Sequence, residues 1–329
     1  MTKAARLSYF FIFATLVLVA WLHLATPFIT ALFAYFALSK LDRFRHKALA
    51  VIIFVVVVLG IFYAFGWFIK HAIVAVPKIA ATSVPLIIDW AKAHGFDLPF
   101  EDFDSLKALI VDTIKDQLKS VGNFARVATK EFVFLVIGVV VAMGLFLNPQ
   151  MDLDRGNYRL RNNLYSALCD QIAARFRAFY GSFATVMGGQ LIISLINTTL
   201  TAIFVSAVSL PYAPVVIGIT LLAGLLPIVG NLISNAIIVG ITFMKSPQMA
   251  IAALVFLIVL HKLEYFLNSK IIGERIKNPV WLTLLGLVLG ERLMGIPGMI
   301  LAPVVLNYLK IEASQIEVPE PATVGERQA

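Results

Sequence analysis

Long apolar runs alternate along the chain with short basic or mixed-charge segments, and run length decides the predicted elements. Ala48 to Ile69 carries no charge and is rich in Val, Ile and Phe. It predicts one membrane helix, since a crossing takes about 20 apolar residues. Leu7 to Ser39 is apolar except for His23 and a few hydroxyl residues, with Pro27 past its middle. As one helix it would be about 50 Å long, against a hydrocarbon core of about 30 Å. Basic residues flank it on both sides: Lys3 and Arg6, then Lys40, Arg43, Arg45 and Lys47. Equal flanks ask for an even number of crossings, so a helical hairpin bending near Ala25 to Pro27 is expected. One long tilted helix is the alternative. Phe132 to Leu147 predicts a short returning span.

Ala178 to Met244 holds no Asp, Glu, Lys, Arg or His. It is too long for one crossing and too uncharged for a water-facing domain. Within it lie Gln190, Asn197, Asn231 and Asn235, with breakers at Pro211, Pro214, Pro227 and Gly230. Amides beside helix breakers at membrane depth need a protein-lined or wet surrounding, and many transporters build substrate sites this way. Phe179 to Val205 predicts a span. Val215 to Phe243 has two apolar halves around Pro227 to Asn231, which predicts a broken span or a hairpin. Ala250 to Leu260 is apolar, and the helix is expected to continue through His261, Lys262 and Glu264. Val280 to Lys310 has two short apolar halves around Gly290-Glu-Arg292 and Gly295-Ile-Pro-Gly298, a second hairpin. Hairpins at both ends hint at an inverted or repeated architecture.

Two segments read as amphipathic. In the mixed-charge stretch from Lys70 to Lys130, Leu106, Ile110, Ile114, Leu118 and Val121 recur at helical spacing. An extracytoplasmic cap and a passive connector both fit it. In Asp152 to Arg177, Leu160, Leu164, Leu168 and Ile172 fall four apart among five arginines. This predicts an interfacial helix with arginines reaching lipid phosphates, or a solvated helix obeying the positive-inside rule. The domain reading is therefore 1–69, N-terminal hairpin and span; 70–130, extracytoplasmic segment; 131–177, span and interfacial arm; 178–310, transport unit; and 311–329, polar disordered tail.

Composition agrees with the pattern. The chain has 329 residues, 60% of them hydrophobic and 14% charged, where soluble domains run at about 25% charged. The fold class is an all-α membrane protein of about eight membrane segments, including short or broken hairpins. The net charge of +8 sits beside apolar spans, so it speaks for topology and against nucleic acid. The single cysteine, Cys169, excludes an intramolecular disulfide. No metal-ligand spacing, P-loop or nucleophile–base set is present, so no metal, no cofactor and no enzyme activity are expected.

Glu264 is the most informative residue. A carboxylate at membrane depth costs about 2.5–3.5 kcal/mol on insertion scales, so it must be paired, protonated or wet. His261 and Asn268 share its helical face. Either it couples transport to a proton or cation, or it is an interfacial charge at a helix end. Gln190 and Asn197 share one face, and Asn231 and Asn235 another. They could line a cavity for a small polar solute or glue helices together. Pro227 and Gly230 either free backbone groups for binding or make a simple turn.

From Ala178 to Lys310 the chain resembles the autoinducer-2 exporter-like family of bacterial membrane proteins. The likeness rests on an ordered set: Tyr180 with Gly189-Gln190, Leu226-Pro-Ile-Val-Gly230, His261 to Gly273, Asn278-Pro279, and Gly295 to Pro303. The resemblance implies about eight membrane segments, a homopentamer and an elevator-type motion. It also implies export of small signalling molecules or cation/proton antiport. The family often has Pro after the central Gly, where this chain has Asn231. The resulting expectation is an inner-membrane secondary transporter with cytoplasmic termini and a small polar solute, a cation, or both as ligands. The alternatives are a cation/proton antiporter and a non-transporting scaffold.

Overall fold

Charge placement folds the first apolar run back on itself. The computed structural model describes residues 2–42, 46–95, 121–160, 162–226, 229–267 and 279–317. Helix α1 (Lys3–Trp21) and helix α2 (Ala25–Leu41) form the expected hairpin. The bend lies at residues 22–24 rather than at Ala25 to Pro27, with His23 in left-handed backbone at φ 54°. Pro27 instead occupies the first turn of α2, where its missing N–H breaks no helical bond.

Helix α3 (Lys47–Ala93) is longer than the expected 22-residue span. It runs 47 residues through Pro77 and Pro85, about 70 Å at 1.5 Å per residue. Residues 70–93 are thus helix continuous with the span. Lys70, Lys78, Asp89 and Lys92 are exposed, while Ala75, Ile79 and Ser83 form a buried stripe at four-residue spacing. The amphipathic stretch expected from Phe103 to Val121 lies almost wholly outside the described residues. Helix α4 (Val121–Leu147) returns, and Lys47 Nζ donates to Phe146 O at 3.2 Å, tying its end to the start of α3.

Residues 148–160 form an irregular connection, so Leu160 is not helical as expected. Helix α5 (Leu164–Ala207) starts where the Asn163 side chain accepts from Ser166 N at 2.9 Å, and it continues unbroken for 44 residues. The arginine segment is thus largely a forward extension of a membrane helix. Arg155 pairs with Asp170 across an exposed surface, which raises its pKa through that hydrogen bond. Burial, then a hydrogen bond donated to Asp152, pushes Tyr158 up to about 12.

Helix α6 (Ala213–Ala223) and helix α7 (Val229–Lys245) decide between broken span and hairpin. Lys245 Nζ donates to Val208 O, so the segment leaves and returns at one end. Val215 and Val216 of α6 pack in one cluster with Ile238 and Ile241 of α7. It is a re-entrant hairpin. Helix α8 (Pro247–Leu267) crosses back, and helix α9 (Val280–Met294) and helix α10 (Ile296–Ser314) form the second terminal hairpin. Gly290-Glu-Arg292 lies in the last turns of α9, and the tip itself is Gly295.

Six of these helices are long and apolar enough to cross a membrane, and three shorter apolar ones accompany them. Three buried clusters organise the fold. The first joins the far half of α3 with the end of α5 and with α6, α7 and α8. The second joins α1, α2, α5 and α10. The third joins α2, the near half of α3 and α4. The first and last described helices begin and end on the same face.

Candidate functional site

The tip of the re-entrant hairpin is held by α5. The last turn of any helix leaves carbonyls without helical partners. Here Gln190 Nε2 donates to Gly224 O at 2.6 Å, and Ser194 Oγ donates to Leu221 O at 2.9 Å. On the other arm of the tip, a side chain at Gly230 would collide with the Ala223 carbonyl. Its absence lets the first turn of α7 close on the end of α6. Ser234 Oγ donates to Gly230 O at 3.1 Å.

Glu264 lies beside this tip. Asn231 Nδ2 donates to both of its carboxylate oxygens, at 2.8 and 2.7 Å, and Asn197 Nδ2 reaches Oε2 at 3.4 Å. Three helices, α5, α7 and α8, therefore each supply one polar side chain. At 1.5 Å per residue, Asn197, Asn231 and Glu264 lie about 15, 21 and 26 Å along their helices from the ends near Ala207, Lys245 and Pro247, so Glu264 stands close to Leu267, the last described residue of α8. Glu264 and Asn231 are half-buried, and Asn197 is 5% exposed. Among the described residues, Asn197 Oδ1 is buried without a hydrogen-bond partner, as are Thr198 Oγ1 and Thr201 Oγ1 on the same helix. Buried polar atoms are nearly always partnered by protein or water, so these acceptors suit a proton donor, a water or a cation.

The nine residues singled out from the sequence separate clearly. Asn197, Asn231 and Glu264 meet. Gln190 and Gly230 shape the tip. Asn235 is half-buried and His261 exposed, and neither side chain contacts Glu264 through a described hydrogen bond. Pro227 and Asn268 lie outside the described residues. Ser194 and Ser234 were missed, although Ser194 follows Gln190 by four residues on the same face. No group of three or more His, Cys, Asp or Glu residues gathers among the described residues. A second polar node joins α1, α5 and α10. Tyr9 donates to Glu312 Oε2 at 2.7 Å, Arg175 pairs with the same oxygen, and the Arg175 guanidinium lies 4.4 Å from the Tyr9 ring centroid.

An all-helical fold with several apolar spans and a re-entrant hairpin whose tip meets a carboxylate defines a multi-pass helical membrane protein. Residues 8–316 match the model described as AI-2E family transporter, and the chain belongs to that family. Two Bacillus subtilis (strain 168) proteins described as putative transport proteins are similar to it. YdbI is 26% identical over 277 residues, covering 81% of this chain and 76% of its own length. YueF is 33% identical over 138 residues, covering 41% of this chain and 37% of its own.

Proposed function

We propose that the protein is a secondary transporter, acting as an exporter of a small polar solute or signalling molecule across the bacterial inner membrane. Its termini are cytoplasmic, it works as a homo-oligomer, and elevator-like alternating access moves the solute. The observation that carries this reading is the meeting of Glu264 with Asn231 and Asn197 at the tip of a re-entrant hairpin. An ionised carboxylate only accepts hydrogen bonds, while a protonated one also donates. With Glu264 ionised, the amides of α7 and α5 donate to it and Asn197 Oδ1 stays unmet. Protonation, or an inserted monovalent cation, weakens the hold of Asn231 and supplies a partner for Asn197 Oδ1. Occupancy of the site is thereby converted into a movement of the hairpin tip.

The test is flux in proteoliposomes under an imposed proton or sodium gradient, with internal pH and labelled solutes followed together. Glu264→Gln keeps the shape and removes the charge, so gradient-dependent flux should fall at least about tenfold, the equivalent of about 1.4 kcal/mol. Flux equal to wild type removes Glu264 from coupling. Ion exchange without movement of any solute selects a cation/proton antiporter. No flux of any kind would favour a scaffold.

A further inference from the structure

The tips of the two terminal hairpins meet at a cavity of about 580 Å3, lined also by Lys130 and Glu131 of α4. Known ligand pockets run from about 300 to 1,000 Å3. Two close backbone approaches build it. A Cβ at Gly138 of α4 would lie 2.6 Å from Pro27 O, so its absence lets α4 run against the tip of α1–α2. That packing brings Lys130 and Glu131 to the cavity. Gly290 and Gly298 each lie against the other's carbonyl, which closes α9 onto α10 and leaves Arg292 on the cavity wall. The Gly295-Ile-Pro-Gly298 motif thus shapes a wall that the Glu264 site does not use.

His23, Lys130, Glu131 and Arg292 all line this cavity. The side chains of His23, Glu131 and Arg292 form no hydrogen bond or ion pair among the described residues, and the Lys130 ammonium lies 5.2 Å from the Phe134 ring centroid. Two permanent cations and a histidine therefore face one carboxylate. Both helices that begin at the cavity, α2 and α10, lack a side-chain cap, and a helix start favours negative charge. We infer that this cavity binds a small oxyanion, a carboxylate or phosphate, with Arg292 as the principal ligand, Lys130 and His23 assisting, and Glu131 opposing. A guanidinium matches such anions in a two-toothed geometry. The site is separate from Glu264 and does not rest on the coupling reading.

The test uses the full chain in phosphatidylcholine nanodiscs, with inorganic phosphate as the probe in titration calorimetry. Arg292→Gln should weaken binding about tenfold or more, as expected for a lost charge-assisted hydrogen bond. Glu131→Gln should tighten it, a change of sign that general misfolding does not produce. Glu264→Gln should leave it unchanged. If phosphate does not bind but phosphatidylglycerol added to the discs is retained in an Arg292-dependent way, the oxyanion is a lipid headgroup in the same site. Binding that ignores both Arg292 and Glu131, binding lost with Glu264, or no Arg292-dependent occupancy by either probe would overturn the inference.

Discussion

Glu264 is held by two amides, and the difference between an amide and an acid at position 231 can be measured. In Asn231→Asp a second carboxylate would stand within hydrogen-bond distance of the first. Two ionised carboxylates that close repel each other, and the Asn231 amide donors that hold Glu264 are lost. Gradient-driven flux in Asn231→Asp should fall well below wild type, and initial rates on both proteins check it. Gly230 offers a second residue-scale test. Gly230→Ala places a methyl group against the Ala223 carbonyl, and overpacking of this kind costs about 1–3 kcal/mol. Gly144→Ala on α4 meets nothing within 4 Å. The first should lower the thermal midpoint of detergent-purified protein and impair flux; the second should leave both near wild type.

Among the helices, the Arg175–Glu312 pair shows how distant parts of the chain are tied. It joins α5 to α10, and the Tyr9 hydroxyl brings α1 onto the same oxygen. The Glu312 side chain is 6% exposed and that of Arg175 19%. Breaking a buried pair strands the remaining charge and costs about 3–5 kcal/mol, while replacing both partners by apolar groups is often neutral. Arg175→Met should therefore be strongly destabilising, and Arg175→Met with Glu312→Met should recover most of the loss, as read by thermal unfolding. The same pair explains why an arginine segment that reads as a lipid-facing surface is only partly one. Arg175 and Arg155 find carboxylates, and the partner at position 312 is too remote in sequence to be inferred from spacing.

At the scale of the whole molecule, the alternation of apolar runs and basic flanks was enough to read an all-helical membrane protein with a hairpin at each end. The described path puts the start of α1 and the end of α10 on one face and residues 208–212 on the other. Reporter fusions should read the cytoplasm at the C-terminus and the opposite compartment at 208–212; the reverse result would overturn the proposed orientation. Run length, flanking charge and helical period are local properties, so the sequence by itself determined the fold class and most of the spans, and it singled out Glu264 as a carboxylate on a helix that continues from an apolar run. It also identified Asn197 and Asn231, because uncharged amides stand out in an apolar run. Whether Val215 to Phe243 crosses or turns back, and which amides meet the carboxylate, depends on where Lys245, Val208, Gly230 and Ala223 come together. Those are contacts between surfaces far apart in the chain or across a tight tip, and only the tertiary structure decided them. The reach of α3 past the expected span has the same cause. Its charges lie on one face, and the apolar stripe from Ala75 to Ser83 becomes visible as core only once α7 is packed against it.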